Sequence, residues 1–237
     1  MDLYQSFLKG KIKDWKANKN FSKAFFSLAA PMDSVTFAIR ARDSKTNENI
    51  LGILKIGDSS SVELSKNLLV KQIDGVFDTD GTLLYNKQLK KIVYTYFYRN
   101  EYIVIDNKLK LDYTGKTIDT ISQAQIKISY VSSEKSNKLS TPPLVVNNCV
   151  ATYGNYLFIN SGLMGKFESK DTWKKASVID VYDLVNNTYV FSFHIQHIAK
   201  NRVSELYIDQ DRLICILGEY LLVYKLDVEL FGSSITK

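Results

Sequence analysis

Short hairpins recur along the 237-residue sequence, both faces of these hairpins are apolar, and a tyrosine sits just after the turn in "EYIVID", "NYLFIN" and "EYLLVY". These three features predict an all-β chain, a β-propeller-like array of about four antiparallel four-stranded blades. A sheet wet on one side alternates apolar with polar residues, so strands such as "IVYTYFY" and "LICIL" require cover on both flanks. Small sheets stacked radially about an axis provide that cover. A two-sheet sandwich uses similar strands but would leave a polar face on each.

The elements follow in chain order. Residues 1–20 form a basic segment, with Lys9, Lys11, Lys13, Lys16 and Lys19 against Asp2 and Asp14. Lysines protect exposed strand edges, and "SFLKGKIKDW" alternates as a closing strand for the last sheet would. The one helical signal, "DWKANKNFSKAFFSLAA", competes with a strand over Phe21 to Leu28. The propeller-like domain is expected over 21–231, with a polar tail at 232–237.

Its first sheet covers roughly 21–70, with "SVTFAIRAR" and "NILGILKI" joined by the polar turn "DSKTNEN". The second covers 75–116. With Arg99-Asn100 as a two-residue turn, Phe97 faces Tyr102, Tyr96 faces Ile103 and Tyr94 faces Ile105. Tyr94, Tyr96, Ile103 and Ile105 then share one side, and Val93, Phe97, Tyr102 and Val104 the other. The third covers 149–195; Gly154-Asn155 pairs Tyr153 with Tyr156 and Ala151 with Phe158, and a second hairpin turns at Asn186-Asn187. The fourth covers 203–226, where Gly218-Glu219 pairs Leu217 with Tyr220 and Cys215 with Leu222. Glycine or asparagine at such tips supplies the positive φ that tight hairpins need. Long irregular loops remain at 117–148 and 162–176.

Composition narrows the function classes. Apolar residues at 45% and charged residues at 24% are ordinary for a globular chain, which at this length builds a core without staples. The net charge of +6 comes without an arginine-and-aromatic ribonucleoprotein motif, which argues against nucleic acid as partner. The N-terminus lacks the apolar stretch and cleavage site of a signal peptide, and no apolar run is long enough to span a bilayer, so the chain as given reads as soluble. Cys149 and Cys215 lie in apolar strand-like runs and read as buried free thiols, with one disulfide between them as the alternative.

The stretch "DGVFDTDGTLLYN…KIVYTYFYRNEYIVID…LDYTGKTIDT", with "SVIDVYDL" and "YLLVYKLD", resembles a group of uncharacterised bacterial six-bladed β-propellers of the NHL/TolB-like kind. The likeness runs from about Phe21 to Asp227. It implies the C-terminal part of a six-bladed propeller or a shortened relative. Members are longer and often follow a membrane anchor, so it also implies an extracytoplasmic, periplasmic place for a fragment of such a protein. It supplies no catalytic residue, and the Gly-His and Trp-Asp signatures of WD40 repeats are absent.

Motifs for chemistry are few. "DGVFDTDG" (74–81) departs from a calcium loop, since Val76 and Lys87 fall where ligands belong. Asp-Gly as a turn accounts for it. His194 and His197 of "HIQH" would point to opposite faces of a strand, and no Cys/His cluster exists, so neither a metal nor another cofactor is expected. No catalytic residue is assigned. Tyr94 and Tyr96 read as sheet packing against branched aliphatics, whereas Tyr98 beside the turn could offer its hydroxyl to a ligand. In a propeller, loops between second and third strands share an end with the connections between blades. That end would gather Asp78, Asp80, Tyr98, Arg99, Trp173, His197 and Arg202 as a binding face.

The reading is a non-enzymatic binding or scaffold propeller that presents loops to a protein or carbohydrate partner. The alternative is a propeller-type hydrolase or lyase with an axial active site. Polar or metal-binding side chains converging on the axis would favour the enzyme, and small apolar ones the binder.

Overall fold

The structure, a computed structural model, describes residues 5–11, 16–22, 25–57, 60–133, 136–227 and 231. Strands β1 (Gln5–Lys11) and β2 (Lys16–Ser22) pair with each other as a hairpin. Blade 1 comprises β3 (Phe26–Pro31), β4 (Thr36–Arg42), β5 (Asn49–Lys55) and β6 (Ser61–Ser65). Blade 2 comprises β7 (Gly81–Asn86), β8 (Lys91–Tyr96), β9 (Glu101–Ile105) and β10 (Leu111–Lys116). A small hairpin of β11 (Ile128–Val131) and β12 (Ser136–Leu139) leads to blade 3. That blade holds β13 (Asn147–Tyr153), β14 (Tyr156–Ser161), a short helix α1 (Lys170–Lys175), β15 (Ala176–Asp183) and β16 (Thr188–Gln196). Blade 4 comprises β17 (Glu205–Asp209), β18 (Arg212–Leu217) and β19 (Tyr220–Lys225).

Each blade is an antiparallel meander in sequence order, and the chain is a β-propeller of four such sheets. The first strand of each lies innermost: β7 lies against β3 and β13, and β13 against β17. Among the described residues blade 4 has three strands, and β1 pairs with β2 rather than with β19. Residues 12–15 and the tail 232–237 lie outside the described residues. Strands occupy the region of the helical signal, where β2 and β3 form instead. The loops expected to be irregular at 117–148 and 162–176 contain the β11–β12 hairpin and α1; Ser169 caps that helix by accepting the Thr172 N–H at 3.0 Å.

Apolar side chains on both blade faces form the core, as the sheets' alternation requires. Between blades 1 and 2, Ala38 and Leu51 meet Ile92, Tyr94, Tyr96 and Ile103. Between blades 2 and 3, Val93, Tyr102 and Val104 meet Val150, Leu157 and Tyr182. Between blades 3 and 4, Phe158, Ile179 and Val181 meet Leu206, Leu213, Cys215 and Leu217, with Phe231 added. Both flanks of β8 and β9 are therefore dry within their strands, while Phe97, in the connection between them, is only half-buried. Tyr94 and Tyr96 are fully buried, and their hydroxyls are used. Tyr94 donates to the Thr79 carbonyl at 2.7 Å and accepts from Arg40 at 3.0 Å. The Tyr96 hydroxyl accepts the Val70 N–H at 3.3 Å.

The hairpins at Gly154 (φ 58°), Asn187 (φ 53°) and Gly218 (φ 61°) have the expected left-handed tips. The registers Tyr153–Tyr156 and Leu217–Tyr220 are observed. The turn at Arg99-Asn100 requires a correction. Tyr94 pairs with Ile103 and Thr95 with Tyr102, two residues away from the expected register, and Phe97 to Asn100 form a four-residue connection. The cause lies in the neighbouring blade connections. Phe97 N donates to Asp80 O at 3.0 Å, and the N–H groups of Val146 and Asn147 both donate to Phe97 O. With its backbone engaged there, Phe97 is not available to β9. A slip of two residues leaves every side chain on its face, so the division of faces within the strands survives the error.

Candidate functional site

At the connection end, a pocket of about 460 Å³ opens between blades 2, 3 and 4. Phe97 and Tyr98 come from the β8–β9 connection, Asn148 from β13, and Asn160 and Ser161 from the end of β14. Trp173 comes from α1, Ser177 from the start of β15, and Arg202 to Ser204 from the passage between blades 3 and 4. The polar wall is held by a chain of hydrogen bonds. Asn160 Nδ2 donates to Val203 O at 3.1 Å, and Val203 N donates to Ser177 Oγ at 3.3 Å. Ser177 Oγ lies 3.2 Å from His197 Nε2, while His197 Nδ1 lies 3.1 Å from Lys174 O. A carbonyl only accepts, so Nδ1 carries the proton and Nε2 accepts from the serine. Burial lowers the His197 pKa, and the Arg202 charge adds to this despite the opposing pull of the Lys174 carbonyl. His197 thus acts as a neutral strut between α1 and the pocket wall.

Arg202 stacks over the Trp173 ring at 5.4 Å, setting a cation beside an aromatic face. Behind the opposite wall, buried Asn147 Nδ2 donates to Tyr96 O at 2.7 Å and Arg99 O at 2.9 Å, which fixes the connection carrying Tyr98.

The residues anticipated from sequence separate into three groups. Tyr98, Trp173 and Arg202 line the pocket, and His197 supports it through Ser177. Asp80 pairs with Arg40 on the blade 1 side, close enough to raise the Tyr98 pKa in addition to the larger effect of burial. Arg99 and Asp78 do not face the pocket. Arg99 is 1% exposed, lies 3.5 Å over the Tyr96 ring and donates to Val70 O at 3.0 Å. Asp78 is fully buried, and its carboxylate accepts the backbone N–H groups of Gln72, Ile73, Asp74 and Gly75. It holds the passage between blades 1 and 2 in a tight curl.

Sequence reading overlooked the lining amides Asn148 and Asn160 and a carboxyl pair beside Ser161. Burial raises the Asp119 pKa to about 6, with Asp180 adding to it and the Ser161 hydroxyl opposing. Asp180, whose pKa burial also raises, accepts from Ser192. Asp180 interrupts the apolar run of "SVIDVYDL", which was its one signal; Asp119 gave none.

A second pocket, of about 450 Å³, lies along the inner strands β7, β13 and β17. Thr82, Leu84, Val150 and Leu206 are typical of its lining, and Glu205, which accepts from the Tyr207 hydroxyl, is its carboxylate. Among the described residues no group of three or more His, Cys, Asp or Glu gathers to hold a metal, and no helix is long and apolar enough to cross a membrane.

No family model matches the chain, and no curated protein matches it. Solved structures similar to it include the Dos1 propeller, with TM-score 0.45 and 8% identity over 85% of this chain. The β-propeller domain of the Trilobed protease from Pyrococcus furiosus gives 0.46 and 12% over 94% of this chain and 76% of its own. Apo AztD from Citrobacter koseri gives 0.37 and 9% over 91% of this chain and 66% of its own. The chain spans 45% of the length of the Dos1 propeller chain.

Proposed function

We propose that the protein is a non-enzymatic binding propeller whose connection-end pocket takes a carbohydrate. The observation that carries this reading is the lining itself. Aromatic faces at Tyr98 and Trp173 stand beside the amides of Asn148 and Asn160 and the guanidinium of Arg202. Sugars present apolar C–H faces and rims of hydroxyls; aromatic rings cover the former, and planar amides and guanidinium groups satisfy the latter. The mostly apolar lining of the axial pocket supports a binder over an axial enzyme.

A hydrolase remains the second reading, favoured by Asp119 and Asp180. A carboxyl with pKa about 6 next to the pocket wall is suited to donate a proton. The test is a panel of neutral and uronate-bearing oligosaccharides, titrated against wild type, Trp173→Ala and Arg202→Glu by calorimetry, with products followed by chromatography. Binding that weakens at least tenfold in both variants, without product, supports the binder. A ligand bound equally by all three proteins refutes the pocket assignment. Product formed below pH 6 and lost in Asp119→Asn replaces the binder with the hydrolase.

A further inference from the structure

The outermost strand of blade 4 has the sequence of a covered strand, but among the described residues no strand covers its outer edge. In blades 1 to 3 the third strand is flanked by a fourth, and β5, β9 and β15 are largely buried. β19 occupies the same third position with the equally apolar sequence "YLLVYK", with Leu222 turned to blade 3, while on the opposite face Leu221 is 65% and Val223 56% exposed. Among the described residues its only strand partner is β18, so one edge presents unpaired backbone groups. The outermost strands of blades 1 and 2 carry charges within their length, Glu63 in β6 and Asp112 in β10. Such charges keep edges from pairing. β19 has no proline, no bulge in its pairing with β18, and a single charge at its last residue.

The charges at its two ends identify the occupant. We propose that β19 pairs antiparallel with β19 of a second copy of this chain, about a twofold axis through Leu222. A twofold contact requires a surface complementary to itself, and "EYLLVYK" (219–225) meets that condition. With Leu222 opposite its counterpart, Glu219 faces Lys225 of the second copy and Leu221 faces Val223, all on the outer face. Tyr220 faces Tyr224 on the inner face. Opposite charges directly across strands and apolar cross-strand pairs both stabilise such a ladder. Lys225 can exchange partners: its side chain is 80% exposed, and its ion pair with Asp211 within the chain is long, at 4.0 Å. The pairing joins two three-stranded sheets into one of six strands.

Charge reversal tests the register, because both end residues are exposed and their substitution leaves the core intact. Sedimentation velocity from 1 to 100 µM (roughly the range over which weak dimers form) should show wild type shifting towards dimer. E219K and K225E each place like charges across the axis and should weaken dimerisation at least tenfold. The double variant E219K/K225E restores opposite charges and should recover it. A wild type that stays monomeric at every concentration overturns the proposal and leaves the edge to a different chain. A dimer indifferent to the single reversals, or a double variant that stays weak, also overturns it.

Discussion

Replacing Asp78 by asparagine removes the carboxylate that organises the passage from blade 1 to blade 2. One carboxylate oxygen accepts from Gln72 N and from Ile73 N at 3.0 Å. The other accepts from Asp74 N at 3.2 Å and Gly75 N at 2.6 Å. An amide has one oxygen, so in either orientation two of these four N–H groups, of which Gly75 N is fully buried and the others partly, would face an NH₂. Each fully buried donor left without an acceptor costs about 1–3 kcal/mol and a partly buried one less, so the two lost here should cost Asp78→Asn about 2–4 kcal/mol. That is a large part of the ~5–15 kcal/mol that holds a typical domain folded. Urea unfolding at pH 7, followed by tyrosine fluorescence, would register a midpoint lower by about 1 M. Asp33 provides the contrast. It accepts Val35 N and Thr36 N on a single exposed oxygen, both at 2.8 Å, which asparagine can reproduce. Asp33→Asn should therefore cost less than ~0.5 kcal/mol. Acidity gives a second check. Burial raises the Asp78 pKa, but the Gln72 N–H, the Asp74 carboxyl and the other N–H groups outweigh it and hold it below the ordinary value. A depressed folded pKa stabilises above the unfolded value, near ~3.9, and that stabilisation is lost as pH falls through the folded one. The gap between wild type and Asp78→Asn should narrow below that pH. Equal midpoints for the two asparagine variants at pH 7 would refute the reasoning.

Two further outcomes follow from packing and burial. Gly115 of β10 lies against the Tyr102 ring, and a Cβ there would stand 2.2 Å from Tyr102 Cζ. Gly115→Ala should cost about 1–3 kcal/mol in urea unfolding and alter the near-ultraviolet dichroism of the tyrosines; an unchanged midpoint would contradict the contact. Burial pushes the thiol of half-buried Cys149, which borders the second pocket, up to about 11 and that of fully buried Cys215 up to about 12. At pH 8 Cys215 in native protein should react with a disulfide reagent far more slowly than in urea-unfolded protein, and fast labelling of Cys215 in the native state would show its burial to be wrong.

Alternation and turn residues made the blades legible, because they act over a few neighbouring positions. Gly154 and Gly218 must sit where the chain turns left-handed, and the pairs Tyr153–Tyr156 and Leu217–Tyr220 follow from their places. Phe97 shows where that logic stops: its backbone is claimed by Asp80, Val146 and Asn147, partners up to fifty residues away. The site divides in the same manner. Loop ends placed Tyr98, Trp173 and Arg202 at one pole of the molecule. Whether a polar residue there faces outward or inward depends on what the adjoining segments need.

From the chain's own pattern came the strand faces, the hairpins and the need for cover on both flanks, since each is set by the two-residue period of extended backbone. The folded arrangement alone decided that Asp78 and Arg99 serve as internal fasteners. It alone also brought Asn160, Ser177 and His197 into one wall and set Asp119 beside Asp180. Those outcomes depend on desolvation and on hydrogen-bond partners remote in sequence, and neither quantity exists until the blades are stacked.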